Sequence, residues 1–173
     1  LYSVGNSANQ THIAFLATAG DEAGTWTDSR MRAGKLANRL TRLTQEKIPN
    51  KVAKWTDEFN PRAFGDNFQK RGYGLLLLES GGAGWDLEKQ SLRQLNAAIL
   101  LDAFYSIATG IYQQESIETY EALATNERQI FDIKLTQAPL ESTGKIRADI
   151  GLNLKEMASG QTKINNAWKV EEI

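Results

Sequence analysis

Apolar and polar positions along the chain change period, and each change marks a predicted element. The mainly apolar run at residues 11–18 has strand character, and the continuous leucine run at residues 75–78 predicts a strand covered on both faces. The second run ends at Glu79, between glycine-containing turns. A shorter strand is predicted at residues 51–55, and residues 56–68 have the composition of a loop. The pattern therefore predicts several strands, one of which ends in a carboxylate.

Two segments repeat apolar residues every three or four positions and predict long helices. The first runs from Thr27 or Asp28 to about Lys47, and the second follows Asp86 and ends at Gly110. Basic residues of the first helix suggest a solvated outer face: Arg30, Arg32, Lys35, Arg39 and Arg42. Strands followed by long helices predict an α/β fold with a parallel or mixed sheet.

After Ile111 the pattern becomes more polar, and alternating segments predict half-exposed strands. These segments lie near residues 130–135, 145–152 and 167–170. Together they predict a small antiparallel β-module that follows a linker helix. We therefore divide the chain into a first domain at residues 1–113 and an appended part at residues 114–173.

Composition limits the classes of partner. The 173 residues are 41% hydrophobic and 24% charged, as in an ordinary globular domain. Twenty basic and 21 acidic side chains give no electrostatic reason to expect nucleic acid. No apolar run approaches the roughly 18 residues that a membrane helix needs. We therefore expect neither nucleic acid nor a membrane as partner.

Few residues are suited to metal or nucleophilic chemistry. The chain has no cysteine, and His12 is its single histidine, so a complete zinc site cannot be built from these residue types. His12 lies in an apolar context that favours a structural role. Glu79 is either the first solvated residue after its strand or a catalytic acid at the strand end.

The loop before the second apolar run combines aromatic and polar residues. Its three phenylalanines stand beside Arg62, Asp66 and Asn67. Such a composition suits a pocket wall that orients a polar substrate. Anchoring a surface loop to the core requires the same phenylalanines, so the residues alone leave both interpretations open.

Four runs occur in an order that resembles the zinc carboxypeptidase family, and more narrowly a bacterial branch of it. They are YSVGNS at 2–7, IAFLA at 13–17, FNPRAFGDNF at 59–68 and LESGG at 78–82. The resemblance covers most of the chain and is most specific between residues 59 and 96. It implies an incomplete carboxypeptidase-like mixed sheet with flanking helices, followed by the antiparallel β-segment.

The resemblance implies that Glu79 is the general base of a zinc-dependent peptidase and that Arg62, with Asp66 and Asn67, contacts a peptide substrate. The family's zinc ligands have no counterpart in this chain, and His12 does not stand at a ligand position. We therefore expect zinc in the complete parent domain, none in this chain, and no activity from the chain alone.

Two alternatives remain open: a non-catalytic scaffold or binding module of the same fold, and a hydrolase of small N-acyl amino acids. The resemblance also implies a missing N-terminal half of the domain and an exported protein, periplasmic or secreted. Without that half, a strand edge and apolar surface lie open. We therefore expect the isolated chain to self-associate or to rearrange.

Overall fold

The chain forms two compact units, residues 1–129 and residues 130–173. The computed structural model describes residues 1–84, 86–140, 145–157 and 167–171. The sequence placed the division at residue 113, but Tyr120 and Leu123 are buried in the core of the first unit. Residues 114–129 therefore fold with the preceding residues, and the compact units divide after Gln129.

The architecture is α/β, with one mixed and two antiparallel sheets. The helices are α1 (Asp28–Lys47), α2 (Phe64–Lys70), α3 (Gln90–Thr109) and α4 (Glu118–Glu121), with a 3-10 turn at Ile111–Gln114. The strands are β1 (Ser3–Val4), β2 (Ile13–Ala17), β3 (Val52–Lys54), β4 (Leu76–Ser80), β5 (Asn126–Glu127), β6 (Ile133–Pro139), β7 (Arg147–Met157) and β8 (Ala167–Glu171). Among the described helices, none combines the length and the apolar character needed to cross a membrane.

The main sheet has the order β3-β2-β4, and β2 is its central strand. Strand β2 runs parallel to β3 and antiparallel to β4, so the predicted mixed sheet is confirmed. The prediction that the leucine run is buried on both faces was wrong. Leu76, Leu77 and Leu78 are half-buried because β4 is an edge strand of the described sheet.

Both predicted long helices are present, and their ends follow capping chemistry. The Thr27 hydroxyl accepts a hydrogen bond from the backbone N–H of Arg30 at the start of α1. The Asp86 carboxylate accepts the N–H groups of Gln90 and Leu92 at the start of α3. Gly110, with a φ of 72°, ends that helix in the left-handed conformation.

Helix α2 replaces part of the predicted loop. The turn before it is closed by hydrogen bonds from its own polar side chains, which the composition of a loop does not distinguish from irregular structure.

Alternate residues of β2 face the helices and form the core of the first unit. Ile13, Phe15 and Ala17 are fully buried against the apolar stripe of α1. The same core includes Val52, Leu36, Leu40, Ile99, Ala103 and Tyr120, with Leu76 and Leu78 packed at its border. Removing these side chains from water is the main stabilising contribution to this unit.

Two side chains complete the end of β2. Strand β3 pairs with β2 only as far as Phe15, so the backbone of Ala17 has no strand partner on that side. The Tyr120 hydroxyl accepts the Ala17 N–H at 2.9 Å, and Arg30 Nε donates to the Ala17 carbonyl at 3.1 Å. Burial raises the pKa of Tyr120 to about 12, so this hydroxyl stays neutral.

The prediction that the basic residues of α1 form a solvated outer face was wrong for Arg30. Arg30 is only 4% exposed, whereas the prediction placed it on a solvated surface. The periodicity of α1 could not reveal this burial because the partners of Arg30 come from other parts of the chain.

The second unit is a three-stranded antiparallel sheet in the order β6-β7-β8, which confirms the predicted β-module. Ile133 pairs with Leu152 and Leu135 with Ile150, so apolar side chains share one face. The ladder shifts at Gln137, which has a φ of 53° and donates its N–H to Asp149.

The bond between Ala17 and Tyr120 gives a stability prediction. In Tyr120→Phe the ring remains, but the buried Ala17 N–H loses its acceptor, which costs about 1–3 kcal/mol. Urea denaturation followed by the helical circular dichroism signal measures this loss. Tyr73→Phe is the control, because Tyr73 is 62% exposed and its replacement should cost less than about 0.5 kcal/mol. Equal stability of the two variants would contradict the assigned role of Tyr120.

Candidate functional site

An open cleft of about 500 Å³ lies where β2 and β3 end. Because these two strands are parallel, their carboxyl ends meet at one edge of the sheet, where ligands commonly bind in α/β folds. Thr18 follows β2 and Trp55 follows β3, and both line the cleft. Leu77 of β4 forms part of its wall. We call this feature the β2 cleft.

Arg30 holds the loops around the β2 cleft. Besides its bond to Ala17, the guanidinium donates to the Gly24 carbonyl and to the Asp57 carboxylate. Asp57 also accepts the Ala19 N–H at 3.0 Å. The guanidinium stacks on Trp26 at 4.3 Å from the ring centroid. One buried cation therefore connects the loop after β2 with the loop after β3.

Glu79 lies on the sheet face that carries the cleft. It pairs with Ala14, and Leu77 pairs with Leu16. Because side chains alternate along a strand, Glu79 and Leu77 point to the same face, about 7 Å apart along β4. The Glu79 side chain is half-buried, and no hydrogen bond or ion pair engages it among the residues that the structure describes.

The antiparallel direction of β4 separates Glu79 from the sheet edge where ligands are expected to bind. The prediction placed ligands outside the carboxyl end of its strand, but that end lies beside the beginning of β2. The β2 cleft instead adjoins the amino-terminal part of β4, at Leu77. Glu79 therefore stands one side-chain position beyond the cleft wall and does not line the cleft itself.

The three predicted substrate-binding residues have different environments. Asp66 lines the β2 cleft, and one of its oxygens accepts the Asn60 N–H at 2.7 Å. The Asn67 amide donates to the carbonyls of Pro61 and Ala63, so it is occupied in holding the turn before α2. Arg62 is exposed in the same turn. Asp66 alone of the three is in the cleft wall.

Sequence reasoning missed several cleft residues: Thr18, Trp55 and Glu58. The position of Thr18 and Trp55 directly after two predicted strands could have indicated them, because β2 and β3 are parallel neighbours. The wall contains two carboxylates, Glu58 and Asp66, and two aromatic rings, Trp55 and Phe59. This chemistry favours amine or neutral polar groups over an anionic group at the cleft wall.

The described side chains offer no set of metal ligands. Within the described part of the chain, no group of three histidine, cysteine, aspartate or glutamate residues could hold a metal ion. His12 is only 8% exposed and shares a sheet face with Ala14. Burial, followed by the positive charge of Lys51, lowers the pKa of its ring. The described side chains therefore do not fit a zinc centre.

Comparisons with protein-family models, with curated proteins and with solved structures found no match. The likeness to zinc carboxypeptidases therefore rests on the four sequence runs alone.

The environment of His12 predicts a pH dependence of stability. Its pKa is lowered in the folded protein, so the unfolded chain takes up the proton first as pH falls through about 6.5. The free energy of unfolding should therefore decrease between about pH 7.5 and pH 5.5. Urea denaturation across this range should show a flatter profile for His12→Gln, because His12 is the single histidine of the sequence. Equal slopes for the two proteins would exclude this origin.

Proposed function

We propose that this chain belongs to a zinc carboxypeptidase-like amide hydrolase in which Glu79 is the general base. The main support is the state of the Glu79 carboxylate, which is half-buried at a strand end and engaged by no partner among the described residues. Structural carboxylates of this unit, such as Asp57 and Asp86, are occupied by hydrogen bonds. The second support is the resemblance of four sequence runs, at residues 2–7, 13–17, 59–68 and 78–82, to the zinc carboxypeptidase family.

A carboxylate in this position can transfer protons in amide hydrolysis. Glu79 would accept a proton from the attacking water as the new C–O bond forms. The same group would return that proton to the leaving nitrogen as the C–N bond breaks. Partial burial limits competing water around the carboxylate while one side stays accessible to substrate.

No group of three ligating side chains among the described residues fits zinc, so in the proposed hydrolase the zinc ligands lie outside this chain.

The β2 cleft constrains how a peptide would bind. A C-terminal carboxylate would be repelled by Glu58 and Asp66 in the cleft wall. Arg62, in the turn that contributes Pro61 and Ala63 to the wall, is the candidate to pair with that carboxylate. The aromatic rings of Trp55 and Phe59 would contact the side chain of the substrate.

The same cleft chemistry supports a second candidate, a binding module without catalysis. Two carboxylates beside two aromatic rings suit an amine or a neutral polar ligand, and such a site needs no general base. Under this candidate, Glu79 is a solvated strand-end residue. An N-acyl amino acid hydrolase would keep Glu79 as the base and place a smaller substrate beside Glu79, at the border of the cleft.

The experiment that tests the proposal compares peptide hydrolysis by the longest natural chain containing this sequence with that by its Glu79→Gln variant. Zinc is supplied, and release of C-terminal amino acids from a mixed peptide panel is measured. Glutamine keeps the size of the side chain but removes its basicity, so the rate should fall by about 10²–10⁴-fold.

Glu88→Gln is the matched control, because it makes the same chemical change at an exposed residue and should leave the rate unchanged. If Glu79→Gln retains full activity, Glu79 is not the base. If the unaltered protein releases no amino acid but binds amines or neutral sugars, the binding-module candidate replaces the enzyme.

A further inference from the structure

The wall of the β2 cleft combines an apolar part with an acidic part. Leu16 and Leu77 pair across β2 and β4 and give the cleft apolar surface on the sheet. The rings of Trp55 and Phe59 add aromatic surface after β3. The acidic part consists of Glu58 and Asp66. A ligand that fills this cleft therefore meets both apolar surface and carboxylates.

The two carboxylates are held on neighbouring segments. Asp66 is half-buried in the first turn of α2, and its Oδ2 atom accepts the Asn60 N–H at 2.7 Å. This bond ties the loop that carries Glu58 to α2. Among the described residues, neither the other Asp66 oxygen nor the Glu58 carboxylate has a hydrogen-bond partner. Three of the four carboxylate oxygens are therefore free to accept hydrogen bonds from a ligand.

The cations near the cleft do not neutralise these carboxylates. The Arg30 guanidinium is bound to Asp57. The Lys70 ammonium lies 5.9 Å from the centroid of the Phe59 ring, and Lys70 does not line the cleft. In the part of the chain that the structure describes, neither cleft carboxylate forms an ion pair. The cleft therefore presents uncompensated negative charge, and bringing a cation to it is favourable.

Thr18 gives an independent sign of a polar ligand. It follows β2, lines the cleft and is only 4% exposed. Its hydroxyl has no hydrogen-bond partner among the described residues. Buried hydroxyls are normally hydrogen-bonded, so this one is left for a partner that the described side chains and backbone do not supply.

We propose that the β2 cleft selects a substrate residue whose long aliphatic side chain ends in a cation, as in lysine or arginine. This inference rests on the proposed function, which places the substrate side chain in the cleft. The aliphatic stem would pack on Leu16, Leu77 and the two aromatic rings, and the cationic group would pair with Glu58 and Asp66. The rings also attract a cation.

Other side chains fit the same wall less well. The cleft of about 500 Å³ is large enough for a long side chain with its adjoining backbone. An acidic side chain would be repelled by the two carboxylates. A neutral aliphatic side chain of equal length would remove water from Glu58 and Asp66 without replacing it by a partner. The cationic end therefore makes the difference between otherwise similar residues.

Peptide binding tests this selectivity without catalysis. The protein is the longest natural chain containing this sequence, carrying Glu79→Gln so that a bound peptide is not cleaved. Calorimetric titration measures the Kd of short peptides that differ only in a C-terminal lysine, norleucine or glutamate. Lysine should bind about 10–100-fold more tightly than norleucine, because hydrogen bonds to charged groups contribute more than neutral ones. Glutamate should bind most weakly.

Substitutions of the two carboxylates assign the selectivity to the cleft. The double change Glu58→Gln, Asp66→Asn keeps both sizes and an acceptor for the Asn60 N–H, and it should remove most of the lysine preference. The control Glu88→Gln makes the same chemical change at an exposed residue outside the cleft wall and should keep the preference. Glu58→Lys, also at an exposed position, should weaken binding of the lysine peptide and strengthen binding of the glutamate peptide.

The outcomes separate this inference from the proposed activity. Equal affinity for the lysine and norleucine peptides, an unchanged preference in the double variant, or no binding of any peptide would overturn the basic selectivity. Lysine selectivity in a protein whose unaltered form hydrolyses no peptide would support the selectivity and contradict the hydrolase. Hydrolysis by the unaltered protein without lysine selectivity would support the hydrolase and overturn the inference.

Discussion

The arrangement of the first unit depends on how the end of β2 is completed. Strand β3 ends before it reaches Ala17, so the backbone N–H and C=O of Ala17 have no strand partner on that side. Buried backbone groups need hydrogen-bond partners. The Tyr120 hydroxyl and the Arg30 guanidinium supply them. Tyr120 thereby fixes α4 to the sheet, and Arg30 fixes the loops that continue from both parallel strands. The cost of burying a cation is offset by its bonds to two carbonyls and to Asp57.

With the end of β2 held by Tyr120 and Arg30, the candidate functional groups of the first unit lie at two positions, the β2 cleft and Glu79. The β2 cleft lies at the carboxyl edge of the parallel pair, with its walls held by the loops that Arg30 connects. Glu79 stands on the same face but on an antiparallel strand, so the strand direction carries it beyond the cleft. A peptide that reaches from the cleft along β4 would bring its backbone to the Glu79 carboxylate. A peptide substrate would therefore have to be extended to reach both positions.

Local patterns in the sequence were sufficient for most elements. The 3.6-residue period and the capping residues Thr27 and Gly110 predicted α1 and α3, and alternation predicted the β-module. Long-range pairing was not predictable. A run of leucines predicts a strand, but it does not indicate whether that strand is central or at an edge of the sheet. Nor does it indicate whether the strand runs parallel or antiparallel to its neighbour. For the same reason, the position of Trp55 in the cleft and the burial of Arg30 could not be predicted from the sequence, because both depend on residues far away in the chain.

Amide hydrogen exchange of Ala17 shows whether Tyr120 completes the hydrogen bonding at the end of β2, because this N–H has a side-chain acceptor in place of a strand partner. We expect the Ala17 amide to exchange as slowly as the amides in the middle of β2, and Tyr120→Phe to accelerate its exchange selectively. If the Ala17 amide of the unaltered protein exchanges as fast as that of Glu22, in an exposed loop, Tyr120 does not protect the end of β2.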